Sequence, residues 1–470
     1  MTTTTDSLAH RVAPIDLAPE EFRTLGHRLI DAIADWLGSM PQGRVTTGES
    51  VAEIRRVLGS TRPLPDAGEP VGQVLEDATR LLFAHSLFNG HPRFFGYITS
   101  SPAPIGALAD LLAASINQNT GPFKLSPLAT EIEAQTVRWI AELIGYPAGG
   151  DGLLVSGGNM ANFVCFLAAR AARAPWNLRA EGLTGQPRLR VYASTETHTW
   201  IQKAADLFGL GTDAIGWIPV DARQRMNAAA LDAQIDQDRA RGDLPFLVVG
   251  TAGSVSTGAV DPLPELAAIC RTRDLWFHVD GAYGGLAALA PGAPESLRAL
   301  SLADSVAVDP HKWLYSPLEA GCALVRRPDD LTRAFSYHPA YYHFAENDVI
   351  NFVDRGPQNS RGFRALKVWL GLRQVGRTGA LGMIADDIRL STHLDALVRQ
   401  HDEFEALSQE LSIATFRYVP SSLRDRLGSP DVERRLDDIN RELLTRLEQG
   451  GDAFLSNAVV GGKFALRTAS

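Results

Sequence analysis

The chain has 470 residues, 45% hydrophobic and 21% charged, which excludes disordered, collagen-like and coiled-coil chains and, at roughly 100 to 200 residues per domain, allows about two to four folded units. Lys and Arg number 45 against 54 Asp and Glu, a formal charge of −9 with no dense basic run, so a nucleic-acid backbone finds no global attraction here. Three isolated cysteines, Cys165, Cys270 and Cys322, make neither a disulfide framework nor a paired metal site and fit a reducing compartment.

The Thr-rich opening lacks the basic start and apolar run of a signal peptide. The most apolar window, Ile105 to Ile116, is short and interrupted by Asp110, so a cytoplasmic protein without a membrane span is expected. Pro19-Glu20-Glu21 opens a helix whose Phe22, Leu25, Leu29, Ile33, Trp36 and Leu37 recur at three- and four-residue steps. The Pro- and Gly-rich stretches Pro41 to Gly48 and Arg62 to Pro70 read as connections, leaving a helical segment with little core of its own. Thr130-Glu-Ile-Glu133 reads as a capping box opening a helix with Ile132, Val137, Ile140 and Ile144 on its inner face.

Short apolar runs then alternate with helical stretches at Leu153–Val155, Leu189–Tyr192, Phe246–Val249, Leu275–Val279, Ser305–Val308 and Cys322–Val325, the pattern of buried strands in a largely parallel sheet flanked by helices. Further on come an alternating run Leu411–Val419, a helix carrying Val432, Leu436, Ile439, Leu443 and Leu447, and the stretch Phe454–Leu466 broken at Gly461-Gly462. The expected organisation is a helical N-terminal segment over 1–100, an α/β domain over 101–380 and a small α+β domain over 381–470.

Four places combine a strand end with reactive chemistry. Leu153–Val155 runs into Ser156-Gly-Gly-Asn-Met160 and a helix, which suits a phosphate through free N–H groups and the helix dipole, or is simply a tight turn needing two glycines. The run ending in Asp280, followed by Gly281-Ala-Tyr-Gly-Gly285, places an acid where open α/β sheets bind ligands, or an N-cap or buried ion pair. Ser305–Val308 leads into Asp309-Pro-His-Lys-Trp313, and a lysine there is a nucleophile candidate or a snorkelling surface residue. His198, beyond Leu189–Tyr192, is by itself more often a structural hydrogen-bonder than a catalyst. Phosphate cradle, acid, amine and flat aromatic together describe a site for pyridoxal 5′-phosphate (PLP).

At these residues the chain resembles the PLP-dependent group II amino-acid decarboxylases, most closely the aromatic-L-amino-acid decarboxylase branch. The motifs are His91-Pro-Arg-Phe-Phe-Gly-Tyr97, Ser126–Glu133, Ser156-Gly-Gly-Asn-Met-Ala-Asn162, His278-Val-Asp-Gly-Ala-Tyr-Gly-Gly285, Pro310-His-Lys-Trp313 and Phe363-Arg-Ala-Leu-Lys-Val-Trp369. The resemblance implies the fold type I of PLP-dependent transferases, a mostly parallel seven-stranded sheet flanked by helices, and decarboxylation of an L-amino acid to the amine through a Lys312 Schiff base and a quinonoid intermediate. It also implies that Asp280 pairs with the pyridinium nitrogen, His198 stacks on the ring, and Gly158, Asn159 and Met160 hold the phosphate. His311, Ala282 and Asp309 complete the cofactor set, and Ser100, Tyr97, His198 and Ser360 face the substrate. Tyr341 matches the loop tyrosine that supports carbon protonation, so amine rather than aldehyde is the expected product and Tyr341→Phe is expected to shift products towards aldehyde.

The chain departs from the family pattern in places. Asp309 stands where relatives often have Asn near the phosphate. Val255 replaces a hydroxyl residue, leaving either Ser254 or Ser256 as a substitute or the contact missing, and Arg361-Gly362 replaces paired arginines. The family continues beyond the equivalent of Phe464–Ser470, so the small domain is expected to be incomplete. Ser360 tips the substrate towards tyrosine, Dopa or a phenylalanine-like amino acid. Tryptophan remains among the aromatic candidates, and histidine, glutamate and 2,4-diaminobutyrate stay open, Lys124 being a cation that favours an acidic side chain. A competing enzyme class reads His278, Asp280, Asp309 and His311 as divalent-metal ligands of a hydrolase, but leaves Lys312 unexplained. The family also implies a homodimer with a shared active site and exchanged N-terminal helices.

Overall fold

A computed structural model describes residues 13–337 and 349–470. The chain divides into two compact units, one running to Phe94 and taking in Thr445–Phe454, the other holding Phe95–Leu444 and Leu455–Ser470. In the first unit, α1 (Pro19–Ser39) starts on Pro19 with Glu20 and Glu21 in its first turn, complementing the helix dipole. Helix α2 (Val51–Leu58) opens on a Ser50/Glu53 capping box and ends on left-handed Gly59, and α3 (Val71–His85) follows. None of these helices has a buried residue. Trp36 of α1 stacks on Phe83 of α3 with centroids 4.9 Å apart.

The second unit carries α4 (Pro104–Ile116), α5 (Pro127–Leu143), β1 (Asp151–Val155), α6 (Gly158–Arg173), β2 (Leu189–Ser194), α7 (Trp200–Leu207) and β3 (Ile215–Ile218). There follow α8 (Ala228–Ala240), β4 (Leu244–Thr251), α9 (Leu263–Arg273), β5 (Trp276–Asp280), β6 (Ser305–Val308), the one-turn α10 (Pro310–Trp313) and β7 (Gly321–Val325). The seven strands form one sheet in the order β1-β7-β6-β5-β4-β2-β3. Strands β2 to β6 run parallel, and β7 is antiparallel to both its neighbours. All six apolar runs are strands. The seventh, β3, escapes the pattern because Ile215-Gly-Trp-Ile218 is four residues long with a glycine and an exposed Trp217.

The Thr130 capping box is not formed. Helix α5 begins one turn earlier at Pro127, Thr130 lies buried inside it with its hydroxyl unpartnered among the described residues, and Glu133 is committed elsewhere. Long-range pairing outcompeted the local cap. Helix α11 (Ala365–Gln400) leads into β8 (Phe404–Glu410) and β9 (Ile413–Tyr418), and α12 (Pro430–Gly450) into the hairpin β10 (Ser456–Val460) and β11 (Lys463–Ala469), giving a second, antiparallel sheet ordered β10-β11-β9-β8. Leu411 is not strand but the hairpin turn, at φ +51°; the half-buried β8 has no apolar alternation to announce it.

Sheet register places the site. Asp280 at the end of β5 pairs with Thr251 of β4 and Ala307 of β6, Val308 of β6 with Cys322 of β7, and Val155 of β1 with Gly321. The C-terminal ends of β1, β4, β5 and β6 and the start of β7 thus share one edge, the edge at which open α/β sheets bind ligands.

Candidate active site

A cavity of about 440 Å³ opens at that edge and is lined by Lys312, Asp280, His198, His311 and Asp309 among others. Lys312 sits in α10, the single turn that follows β6, and is half-buried. Its Nζ lies 3.2 Å from Asp309 Oδ2, and His311 Nε2 lies 3.7 Å from the same oxygen. Asp309 is 1% exposed. Its Oδ1 has no hydrogen-bond partner among the described residues, and burial pushes its carboxyl above the usual range while Lys312 and His311 pull it down.

Asp280 is oriented by two donors. Trp200 Nε1 donates to Oδ2 at 2.7 Å and the Ala282 N–H to Oδ1 at 3.2 Å, which locks the plane of the carboxylate at the cavity wall. His198 stays open to solvent on one side and accepts the Trp200 N–H on Nδ1 at 3.3 Å. Desolvation holds its imidazole below the usual value, with Asp280 opposing and Lys312 reinforcing that shift. His311 Nδ1 pairs with the Ala320 carbonyl at 2.7 Å, and burial lowers its ring as well.

The glycine turn opens α6. Gly157 precedes the helix at φ +117°, a backbone reserved for glycine. A Cβ on Gly158 would lie 2.6 Å from Asp309 Oδ2, so no side chain fits between turn and carboxylate. The first-turn N–H groups of Gly158, Asn159 and Met160 have no partner inside the helix and supply anion donors. Gly158 and Asn159 line the cavity; the Met160 side chain packs instead against the cluster under β1, with Leu153 and Ala161.

Among the substrate-side residues, Tyr97 lines the cavity at φ +48°, and Ala282 lines it too. Ser100 does not: its hydroxyl donates to the His311 carbonyl at 3.0 Å and steadies the α10 turn. Ser360 and Lys124 are exposed and do not line the cavity. Val255 does line it, whereas Ser254 is buried with its hydroxyl 3.0 Å from that of Thr257, and neither Ser254 nor Ser256 lines the cavity. Tyr341 lies outside the described residues.

The metal-ligand reading is overturned by His278. Its Nδ1 meets Ser305 Oγ and its Nε2 meets Asn162 Oδ1, each at 2.8 Å, and burial pushes its ring down to about 4. Both nitrogens are spent in the core. Among the described residues no three His, Cys, Asp or Glu are grouped to hold a metal.

Several site residues were not anticipated. Trp200, two positions after His198, and Asn162, inside the glycine motif, are legible only as motif neighbours. Arg467 of β11 also lines the cavity, 2% exposed, with Nη1 donating to Ser456 Oγ at 2.8 Å and Nε and Nη2 unpartnered among the described residues. No sequence signal links it to residues nearly two hundred positions earlier.

These residues fit PLP. An amine, a carboxylate at a strand end, an anion-ready helix start and an unsatisfied buried oxygen converge on one cavity.

Comparison with known proteins agrees. Residues 56–419 match the family model described as the pyridoxal-dependent decarboxylase conserved domain. The chain is 33% identical to an aromatic-L-amino-acid decarboxylase of Bacillus atrophaeus, over 97% of this chain and 92% of that one. Among solved structures, mouse CSAD in apo form superposes with a TM-score of 0.90 at 29% identity, covering 96% of this chain and 95% of that one. Oryza sativa TDC with PLP and tryptamine superposes with a TM-score of 0.88 at 28% identity, over 98% and 94% of the two chains.

Proposed function

This chain belongs to the pyridoxal-dependent decarboxylase family of PLP-dependent carboxy-lyases, and on that premise we propose that it removes CO2 from an aromatic L-amino acid and releases the amine. The observation that carries the reading is the convergence of Lys312, Asp280 and the α6 turn on one cavity. Bound PLP supplies an electron sink that accepts the electron pair left at Cα when CO2 departs.

The chain's own residues serve that chemistry in separate ways. Lys312 holds the cofactor covalently through Nζ. Asp280, fixed by Trp200 and Ala282, keeps a proton on the cofactor's ring nitrogen, where a neighbouring carboxylate favours the charged form. His198, which lines the cavity and is kept uncharged at neutral pH by desolvation, would pack against the bound cofactor. The N–H groups of Gly158, Asn159 and Met160 bind phosphate, with Asp309 and His311 beside them and Ala282 at the cavity wall. Ser100 acts indirectly, by fixing the turn that carries Lys312. Tyr341 delivers the proton that completes the amine.

An aromatic side chain is supported by Tyr97, Ile98, Val255 and Leu318 on the cavity wall and by the names of the relatives. Ser360, outside the cavity of a single chain, reads the substrate across a homodimer interface. The exposed apolar residues Leu108, Leu111, Leu112 and Ile116 of α4 support that dimer, to which residues 1–100 contribute by packing on the partner. Among the described residues no helix is long and apolar enough to cross a membrane, and we place the enzyme in the cytoplasm.

Borohydride reduction of the PLP-loaded protein, followed by peptide mass spectrometry, is expected to add the cofactor's mass to the Lys312 peptide. Incubation with a panel of L-amino acids is expected to yield aromatic amines and CO2. A colourless protein without the adduct would overturn the cofactor reading, and amines from glutamate or diaminobutyrate alone would overturn the substrate.

A further inference from the structure

Asp309 lines the cavity beside the α6 turn, where its charge conflicts with an anion held by that turn. Its Oδ2 lies so close to the α6 turn that Gly158 has no room for a Cβ, which would sit 2.6 Å away, and its Oδ1 is buried without a partner among the described residues. The proposed phosphate turn and this carboxylate therefore share one small volume.

The charges facing that volume can be counted element by element. From α10, Lys312 brings an ammonium 3.2 Å from Oδ2 and His311 a ring nitrogen at 3.7 Å. From β5, Asp280 adds negative charge, and from the segment before α7 comes His198. Cys322 of β7 stays a neutral thiol because burial drives it far above its ordinary range. Burial likewise lowers both histidines, leaving them uncharged at neutral pH. Arg467 and Glu196 line the same cavity but are not among the groups that act on Asp309, so of those that do Lys312 is the single full positive charge. A phosphate monoester with a second ionisation near about 6 is a dianion above pH 7, so ionised Asp309 and phosphate would stand as buried like charges sharing one cation, an arrangement in which one of the two takes up a proton.

We propose that Asp309 is the group that yields: ionised against Lys312 in the cofactor-free protein, protonated when the phosphate is bound, so that binding draws one proton from solvent. Protonation turns an orphaned acceptor into a donor for a phosphate oxygen. This inference rests on the PLP reading above, and it makes cofactor affinity fall as pH rises.

The probe is pyridoxine 5′-phosphate, which has no aldehyde to condense with Lys312 and so isolates the phosphate. Titrated into cofactor-free wild-type protein and into Asp309→Asn between pH 7 and 9, it is expected to weaken by up to about tenfold per pH unit in the wild type and by less than about twofold in the variant. Calorimetry of the wild type in two buffers of different ionisation heat is expected to report uptake of close to one proton, a readout that stands even if the variant fails to fold. The ³¹P resonance of the bound probe is expected to be that of a dianion throughout. Equal pH profiles in the two proteins, no proton uptake, or a protonated bound phosphate would overturn the assignment of Asp309 alone. No binding to either protein, with no borohydride adduct on Lys312, would overturn the PLP reading with it.

Discussion

At Asp280 both carboxylate oxygens accept, from Trp200 and from the Ala282 N–H, so an amide of the same shape removes the charge and keeps only one of these two hydrogen bonds. Asp280→Asn is expected to retain bound PLP by absorbance and mass while kcat falls about 10²-fold or more; an unchanged kcat would detach this residue from the cofactor ring. His278 makes a prediction of the opposite kind, about stability. Its folded-state value of about 4 lies below the unfolded value of 6.5, so unfolding takes up a proton and stability is lost as pH falls from 6.5 towards 4. At pH 5 that contribution amounts to about 2 kcal/mol relative to pH 7. Urea unfolding at the two pH values is expected to show His278→Gln losing about that much less than the wild type. The placing of Asp280 at a strand end and of Lys312 in the turn after one was legible in the sequence because a charged residue at or just past the end of an apolar run stands out. His278 looked equally chemical, and only the positions of Ser305 and Asn162, 27 and 116 residues away, reveal it as a core residue.

Among the elements, α5 and β1 are pinned by one buried ion pair. Arg361 reaches Glu133 through both terminal nitrogens, 3.1 Å for Nη1 to Oε2, and also donates to the carbonyls of Leu154 and Thr120 at 2.7 and 2.9 Å. Glu133 Oε1 in turn accepts the Leu154 N–H at 2.9 Å. Removing the arginine leaves a buried carboxylate without its counter-charge and takes a donor from two carbonyls, so Arg361→Ala is expected to cost about 3 to 5 kcal/mol, measurable as a lowered Tm and urea midpoint. A loss below about 1 kcal/mol would show the pair to be dispensable. This pairing also explains why a local reading of Thr130-Glu-Ile-Glu133 as a cap fails. The motif chemistry is right for a helix start, yet the glutamate is worth more to Arg361 than to a backbone N–H in its own first turn. Strand β3 was illegible for a different reason: four residues carry too little periodicity to stand out from a loop, and pairing with β2 alone defines them.

For the whole molecule, the exposed face of α4 is the feature that a single chain leaves unexplained. Leu112 is 50% exposed there, beside Leu108 and Leu111. Leu112→Asp is expected to convert a dimer to a monomer by light scattering and to abolish activity, if Ser360 serves a neighbouring subunit's site; an active dimer would remove this face from the interface. The sequence alone determined the six buried strands and the amphipathic helices, though not β3 or β8, because burial imposes unbroken apolar runs on buried strands and a 3.6-residue period on helices. It likewise determined which strand ends bear an amine, an acid and a glycine turn. What only the tertiary structure decided is which polar groups meet: that Trp200 holds Asp280, that Arg467 reaches the same cavity from β11, and that Asp309 faces both Lys312 and the α6 turn. Such pairings depend on strand order and register, which no local pattern of residues encodes.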